Sequence, residues 1–277
     1  MDEILESESS ENNEDNMKKN TFKIISVQCG ALKILFEGLS KIINNCTLYV
    51  NSEGIKIYEK VDDKCILFVK LLSEKFEYYE CSNELAFKID LKIFKLICKN
   101  IKNSHTVTLC KSEEDNDKIS IILHEQPIRE KYDMNIEMID EYYPNICPID
   151  YNMEILILSD YFKNIITNFK KSLCDNVNFI YINKKLLIKC EGKNYNNEII
   201  IDICDNENDE TQKNIEVLSD IEEDKIYNKC VQLKYLIYCT YFRNLQQYCK
   251  IYFDNNKPFI YEGNIASIGK YNILINE

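Results

Sequence analysis

Glycine and proline are scarce in this chain: its 277 residues include six glycines and four prolines. Loops that bind phosphate depend on clustered glycines, whose backbone N–H groups approach the ligand closely. The sequence contains neither a GxxxxGKS/T nor a GxGxxG segment, and six glycines could build few loops of this kind. The composition therefore argues against a nucleotide-cradling loop.

Catalytic and metal-ligating patterns are also missing. The sequence has no GxSxG or HExxH motif, and neither His105 nor His124 has a cysteine at ligand spacing. Thirteen cysteines are scattered along the chain without a CxxC pair, which is typical of reduced, mostly buried thiols in an intracellular protein. The adjacent carboxylates Asp62 and Asp63 are interpreted as solvated acids. We therefore expect no enzymatic activity, no metal and no cofactor.

No apolar run reaches transmembrane length, and the N-terminus lacks the apolar core of a signal peptide, so we expect a soluble protein. The formal net charge is −12, and the first twenty residues hold seven acids and two lysines. These twenty residues are predicted to be a disordered tail, and Asp202–Asp224 is a second acidic stretch. Such a charge argues against nucleic-acid binding over the whole surface, but it leaves room for a local basic face.

What the chain does contain is an internal repeat. Phe22–Tyr58 and Met153–Cys190 each run from a strand through a short amphipathic helix with lysines into further strands. Weaker copies fall around Asp90–Leu109 and Val231–Phe253. Because a repeat constrains the architecture before local detail does, we predict two similar halves, each with two helices on a strand-rich frame. The predicted fold class is α+β.

The predicted organisation follows from that repeat. It comprises the tail at residues 1–20, an N-terminal domain at 21–133, a connector at 134–152 and a C-terminal domain at 153–277. The connector is predicted to be extended, because Pro144 and Pro148 leave no room for a helix between them. The four helices are predicted at Ala31–Asn44, Leu91–Asn100, Tyr161–Leu173 and near Leu236–Gln247.

The predicted helices gather lysines on one face. In the second helix, Lys92, Lys95 and Lys99 share one face, with Ile93, Phe94, Ile97 and Ile101 opposite and Leu96 as an exception. Any surface helix has a solvated face, but its recurrence in three repeat-related helices of an acidic protein favours contact with backbone phosphates, without sequence preference. The candidate DNA-binding residues are Lys33, Lys41, Lys92, Lys95, Lys99, Lys163, Lys170, Lys171 and Arg243.

Several segments together carry a family resemblance. They are VQCGALKILFEGLSKIINN (Val27–Asn45), LLSEKFEYYECSNELAFKIDL (Leu71–Leu91), YDMNIEMID (Tyr132–Asp140), VQLKYLIYCTYF (Val231–Phe242) and the ending IASIGKYNILI (Ile265–Ile275). In their order and spacing the chain resembles the proliferating cell nuclear antigen family of sliding clamps.

The resemblance implies a two-domain clamp fold, with outer antiparallel sheets and two inner helices per domain. Three identical subunits would close head to tail into a ring around double-stranded DNA, pairing edge strands near Pro127–Asn135 and Leu186–Glu191. The implied function is that of a processivity factor, which tethers DNA polymerase and other replication and repair enzymes and is opened by a clamp loader. The implied location is the nucleus, or a viral replication site.

Partners of this family insert a short peptide with apolar anchors beneath the connector. The resemblance implies a pocket formed by the connector, by the strand facing it and by the C-terminal strand. The implied residues are Cys65, Leu67, Ile136, Met138, Ile139, Tyr142, Ile146, Pro148, Ile273, Leu274 and Ile275.

Two alternatives stay open. The first keeps the fold and changes the role, to a subunit of a heterotrimeric checkpoint clamp or a clamp-derived viral transcription factor. It predicts that the chain does not assemble with itself. The second, a small hydrolase or transferase, predicts a deep polar pocket with converging titratable groups.

Overall fold

A computed structural model describes residues 20–115, 117–144, 147–203, 214–219 and 225–276. The predicted tail lies outside the described residues except for Asn20, and so does most of the acidic stretch Asp202–Asp224. The helices are α1 (Cys29–Leu39), α2 (Leu91–Lys99), α3 (Ser159–Ser172) and α4 (Leu233–Thr240). Strands β1–β10 are Asn20–Ser26, Asn45–Asn51, Gly54–Asp62, Cys65–Leu72, Tyr78–Cys81, Leu85–Asp90, Thr106–Ser112, Lys118–Glu125, Ile128–Asn135 and Glu137–Ile139. Strands β11–β19 are Met153–Leu158, Asn176–Ile182, Lys185–Glu191, Asn196–Asp202, Ile215–Val217, Tyr227–Gln232, Tyr248–Phe253, Phe259–Ile265 and Gly269–Ile275.

The internal repeat is visible in the order of the elements. Each half runs strand, helix, five strands, helix and three strands, with α1 and α2 in the first half and α3 and α4 in the second. The short strand β10 is the one described strand outside this repeat. The predicted α+β clamp fold is confirmed, and every pairing between described strands is antiparallel.

The helix ends differ from the prediction where apolar residues continue past the last helical turn. The fourth helix, predicted to reach Gln247, ends at Thr240, and Arg243–Leu245 forms a separate 3-10 turn. The amide of Phe242 donates to the Cys239 carbonyl, a hydrogen bond three residues back that tightens and closes the helix. Phe242 is nevertheless buried, so the apolar pattern alone could not mark the end.

One sheet joins the two halves. Its ten strands run in the order β10-β6-β2-β3-β4-β19-β18-β17-β11-β15, and the halves meet where β4 pairs with β19. In that pair Cys65 lies opposite Ile275, and Leu67 lies opposite Ile273. A five-stranded sheet (β5-β1-β7-β8-β9) and a four-stranded sheet (β14-β13-β12-β16) complete the fold. On their inner faces the sheets and helices enclose one continuous apolar core.

The edge strands are β5 and β9 in the five-stranded sheet, and β14 and β16 in the four-stranded sheet. Strand β9 falls where the sequence predicts an edge, near Pro127–Asn135. The second predicted edge, Leu186–Glu191, is wrong, because it belongs to β13, which pairs with β12 on one side and β14 on the other. The edge is the next strand, Asn196–Asp202, which returns along β13 after the bend around Gly192.

The Asp62 carboxylate, in the β3–β4 hairpin of the first half, accepts hydrogen bonds from helix α4 of the second half. Its two carboxylate oxygens lie 2.9 and 2.7 Å from the Tyr235 hydroxyl, and one of them lies 3.1 Å from Lys234 Nζ. Partial burial alone would raise the pKa of Asp62, but hydrogen bonds from Tyr235, from the Lys64 amide and from Lys234 lower it below its ordinary value. Asp62 is thus exposed to solvent, as the sequence predicts, and it also links the two halves of the chain.

Because the folded-state pKa of Asp62 is lowered, its contribution to stability is present above the ordinary carboxyl pKa of about 3.9 and is lost as the pH falls through the folded value. We expect Asp62→Asn to lower the thermal unfolding midpoint at pH 7 by about 2 °C, as for a partly exposed ion pair. The difference from the parent protein should shrink toward zero below about pH 4. Calorimetry between pH 3 and 7 measures it, with Asp63→Asn as the control; a pH-independent difference would contradict the assignment.

Candidate functional site

A groove of about 490 Å³, here called the connector groove, lies between the end of the connector and the outer face of the ten-stranded sheet. Its floor crosses four neighbouring strands: Phe68 on β4, Leu274 on β19, Ile260 on β18 and Tyr252 on β17. The register explains this alignment, because Leu274 lies opposite Ile260, which lies opposite Tyr252. The wall is formed by Tyr143, Cys147, Pro148, Ile149 and Tyr151. The groove therefore spans both halves of the chain.

Tyr143 holds the connector against the sheet. Its ring meets those of Tyr49 and Tyr58 edge-on, at centroid distances of 5.4 and 6.5 Å, and Lys56 Nζ lies 5.4 Å from its centroid. Burial raises the pKa of the Tyr143 hydroxyl, so this wall residue stays neutral at physiological pH. The family resemblance assigns Tyr142 to the peptide pocket, but Tyr142 is 86% exposed and its neighbour Tyr143 lines the groove.

The connector groove is apolar along one side and charged along the other. Lys70 and Lys270 border it, and Lys270 Nζ lies 3.5 Å from a carboxylate oxygen of Glu262. Asn272, between Phe68 and Glu262 in the register, has a buried side-chain oxygen with no hydrogen-bond partner among the described residues. Burial raises the pKa of Tyr151 to about 12. The groove thus fits a short segment with apolar anchors and a few polar groups.

The predicted pocket residues fall into different environments. Pro148 and Leu274 line the connector groove, as expected for a pocket there. Four other predicted pocket residues lie in the core and not in the groove, and they are at most 2% exposed: Cys65, Leu67, Ile273 and Ile275. Their immediate neighbours Phe68 and Leu274 face the groove instead, because successive strand residues point to opposite faces of a sheet.

The remaining predicted residues lie along the first part of the connector. Met138, Ile139 and Tyr142 border a smaller groove of about 240 Å³ over β2 and β6, which Tyr143 separates from the connector groove. Ile136 is buried, and its amide donates to the Asp117 carbonyl at 2.8 Å. Ile146 lies outside the described residues.

The nine candidate cations lie on or next to the helices, and all are at least partly exposed. Lys33 donates to the Ile101 carbonyl at 3.0 Å, beyond the C-terminal end of α2, and Lys41 Nζ lies 5.1 Å from the Tyr241 ring. Arg243 pairs with Asp160 at 2.5 Å. The other six, Lys92, Lys95, Lys99, Lys163, Lys170 and Lys171, form no ion pair with a carboxylate in the described part of the chain.

The exposed face of α2 is not purely basic. Leu96 lies between Lys92 and Lys99 on that face, and Ile93 is exposed beside it. The expectation that Ile93 packs with Phe94 and Ile97 is therefore wrong, whereas Phe94 and Ile97 are buried. At 100° per residue Ile93 sits at the edge of the buried stripe, so periodicity alone does not decide its side.

The chain matches the family described as "Proliferating cell nuclear antigen, N-terminal domain" over residues 12–143. It is 22% identical over 239 residues to "Proliferating cell nuclear antigen" of Chaetomium thermophilum, an alignment covering 85% of this chain and 89% of the relative. The chain is thus similar to the proliferating cell nuclear antigen family in its N-terminal half, and to a protein of that name over most of its length. It is also 23% identical over 247 residues to "DNA polymerase sliding clamp 1" of Sulfolobus acidocaldarius, covering 88% of this chain and 94% of the relative.

A viral protein is similarly related. "Probable DNA polymerase sliding clamp 1" of Paramecium bursaria Chlorella virus 1 is 24% identical over 266 residues, covering 92% of this chain and 95% of the relative. These alignments extend across both halves of the repeat, well beyond the segment that matches the N-terminal domain. Within the described residues, no helix has the length and apolar character needed to cross a membrane.

Proposed function

We propose that this chain is a subunit of a DNA sliding clamp, a processivity factor that encircles duplex DNA and tethers DNA polymerase and other replication and repair enzymes. The observation that carries the proposal is the alignment of nearly the whole chain with proteins named as sliding clamps. Those names favour a replication clamp over a checkpoint-clamp subunit or a viral transcription factor. The clamp itself performs no catalysis in this proposal, and its work is to raise the local concentration of enzymes at DNA.

The ring would be a homotrimer closed through two different edges. Strand β9 of one subunit would pair with β14 of the next, which satisfies backbone groups that an isolated subunit leaves open. Contacts between unlike surfaces must close into a ring or continue as a filament, and a clamp requires closure. A clamp loader is then needed to open the ring on DNA, in the nucleus or at a viral replication site.

The lysine-bearing helices would line the hole and contact the phosphate backbone. Lysine ammonium groups that contact phosphates do not recognise base sequence, which suits a protein that must slide along any sequence. Partner peptides would bind in the connector groove, on the opposite side of the sheet from the helices.

Topological retention on DNA tests the proposal directly. Linear duplex with both ends blocked by bulky protein caps should retain threaded clamp after free protein is washed away at high salt, whereas duplex with one open end should release it. Retention is read by gel-filtration of labelled DNA after loading with a clamp loader or by ring reassembly. Equal release from both DNAs would contradict encirclement.

Charge reversal on α2 should weaken the electrostatic attraction to DNA. We expect Lys92→Glu/Lys95→Glu/Lys99→Glu to lower duplex affinity about tenfold or more, and to reduce the slope of log affinity against log salt by about 0.9 for each phosphate that is no longer neutralised. The control variant replaces the exposed lysines Lys60, Lys75 and Lys193 by glutamate, so that both variants have the same net charge. Fluorescence anisotropy at several salt concentrations compares the two variants, and identical affinities would contradict the assignment of the α2 face.

A further inference from the structure

A second cleft lies on the outer face of the five-stranded sheet, away from the connector groove. It has a volume of about 310 Å³ and crosses β1, β7, β8 and β9. Ile25, Thr108, Ile122 and Lys131 lie side by side across these strands. Ile122 is buried although it points away from the core, so the floor of the cleft is partly apolar.

The rim of this cleft is basic in a protein of net charge −12. Lys23, Arg129 and Lys131 line it, and Asp115 is the one carboxylate among the described lining residues. Lys131 also lies 3.6 Å from Asp133, and Lys23 Nζ lies 5.9 Å from the Tyr78 ring. An apolar floor with a cationic rim suits a ligand that combines apolar side chains with carboxylates.

The chain itself contains a segment with that chemistry, and it enters the fold at the cleft. Residues 1–15 hold seven acids and no basic residue, and Ile4-Leu5 is an apolar pair flanked by acids on both sides. Asn20, the first described residue, lines the cleft. The sixteen residues from Leu5 to Asn20 can extend over about 50 Å, which is more than enough to place Ile4 and Leu5 anywhere along the cleft.

We propose that the N-terminal acidic segment docks in this cleft of its own chain, with Ile4 and Leu5 against Ile25 and Ile122. The carboxylates of Asp2, Glu3 and Glu6 contact the cationic rim. Tethering gives the segment a local concentration in the millimolar range, so individually weak contacts suffice. The cleft is therefore a self-occupied binding surface for acidic–apolar peptides, and a partner of that chemistry must displace the segment. This inference rests on the cleft and does not require the clamp function.

Cys110 reports on occupancy, because it lines the cleft and is partly exposed. Its alkylation by iodoacetamide, a neutral reagent, is followed by mass spectrometry in the full chain, with exposed Cys147 on the connector as the internal control. In the variant Asp2→Asn/Glu3→Gln/Ile4→Ser/Leu5→Ser/Glu6→Gln, the Cys110 rate should rise about fivefold, because a tethered segment covers the cleft most of the time. The Cys147 rate should not change.

The rim supplies the matched test. Lys23→Glu, on β1 and not on the proposed subunit edge β9, should also raise the Cys110 rate, and Lys60→Glu, at an exposed position on the ten-stranded sheet, should leave it unchanged. Equal Cys110 rates in the parent protein and the segment variant would overturn the proposal. Protection that increases with protein concentration in the parent protein but not in the segment variant would assign the segment to a second copy and overturn docking within one chain.

Discussion

An Ile200→Lys variant is expected to scatter light as a monomer of 32.8 kDa, whereas the homotrimer proposed for the parent protein would give three times that mass, 98.4 kDa. Ile200 lies on the free edge strand β14 with 55% of its surface exposed, between Glu198 and Asp202 on the same face. In the proposed ring β14 would face β9 of the next subunit, which begins with Ile128, 60% exposed, and continues with Arg129 and Lys131. A lysine at position 200 would be buried against these cations, and an uncompensated charge in an interface costs several kcal/mol.

The control for this variant uses the opposite edge of the same sheet. Ile226 is 50% exposed and precedes β16, which is the other edge strand, so Ile226→Lys introduces the same charge at a similar exposure. It should leave the trimer intact. Far-ultraviolet circular dichroism shows whether the Ile200→Lys protein is folded. A folded trimeric Ile200→Lys protein would exclude β14 as the contact edge.

Phe68→Ala/Leu274→Ala is expected to abolish most of the affinity for a partner peptide. The two side chains form the floor of the connector groove, and truncation of a central apolar anchor typically costs about 2 kcal/mol, or about thirtyfold in affinity. Calorimetric titration uses one peptide, selected from a random library against the parent protein. We expect a loss of at least about a hundredfold for the double variant, because two anchors are removed together.

Tyr142→Ala is the matched control within the connector. The Tyr142 side chain is almost fully exposed and lies outside the connector groove, so its removal should change peptide affinity less than about threefold. The mass of the assembly, measured alongside, separates a damaged groove from a damaged ring. A large loss for Tyr142→Ala with none for the double variant would move the binding site to the smaller groove over β2 and β6.

The sequence predicts the architecture better than the faces of its strands. The repeat locates all four described helices, because amphipathic periodicity is strong in segments such as Leu91–Lys99. Strand β4 reads CILFVKLL, with apolar residues on both faces, so alternation cannot show that Leu67 enters the core and Phe68 the groove. Sequence likewise cannot show which of Tyr142 and Tyr143 packs against the sheet. The contacts of the Tyr143 ring with Tyr49 and Tyr58 identify it as Tyr143.

Interactions between distant segments are the second limit. The sequence around Asp62 does not indicate its hydrogen bond with Tyr235, which is distant in the chain, and the pairing of β4 with β19 likewise joins segments from the two halves. The edge strand β14 could not be predicted for a related reason: β13 and β14 are both short strands of similar composition, and only the register shows which of them is outermost. Local pattern thus predicts elements, whereas their partners depend on tertiary packing.

The pairing of β4 with β19 also limits when the ten-stranded sheet can form during translation. Strand β4 is made early and its partner is the last strand described, so the ten-stranded sheet cannot close while the ribosome is still translating the second half. At about 5–20 residues per second, the nascent chain spends many seconds with an apolar strand edge open. Such long-range pairing is slow, and it leaves an open strand edge that favours aggregation until β19 has been made.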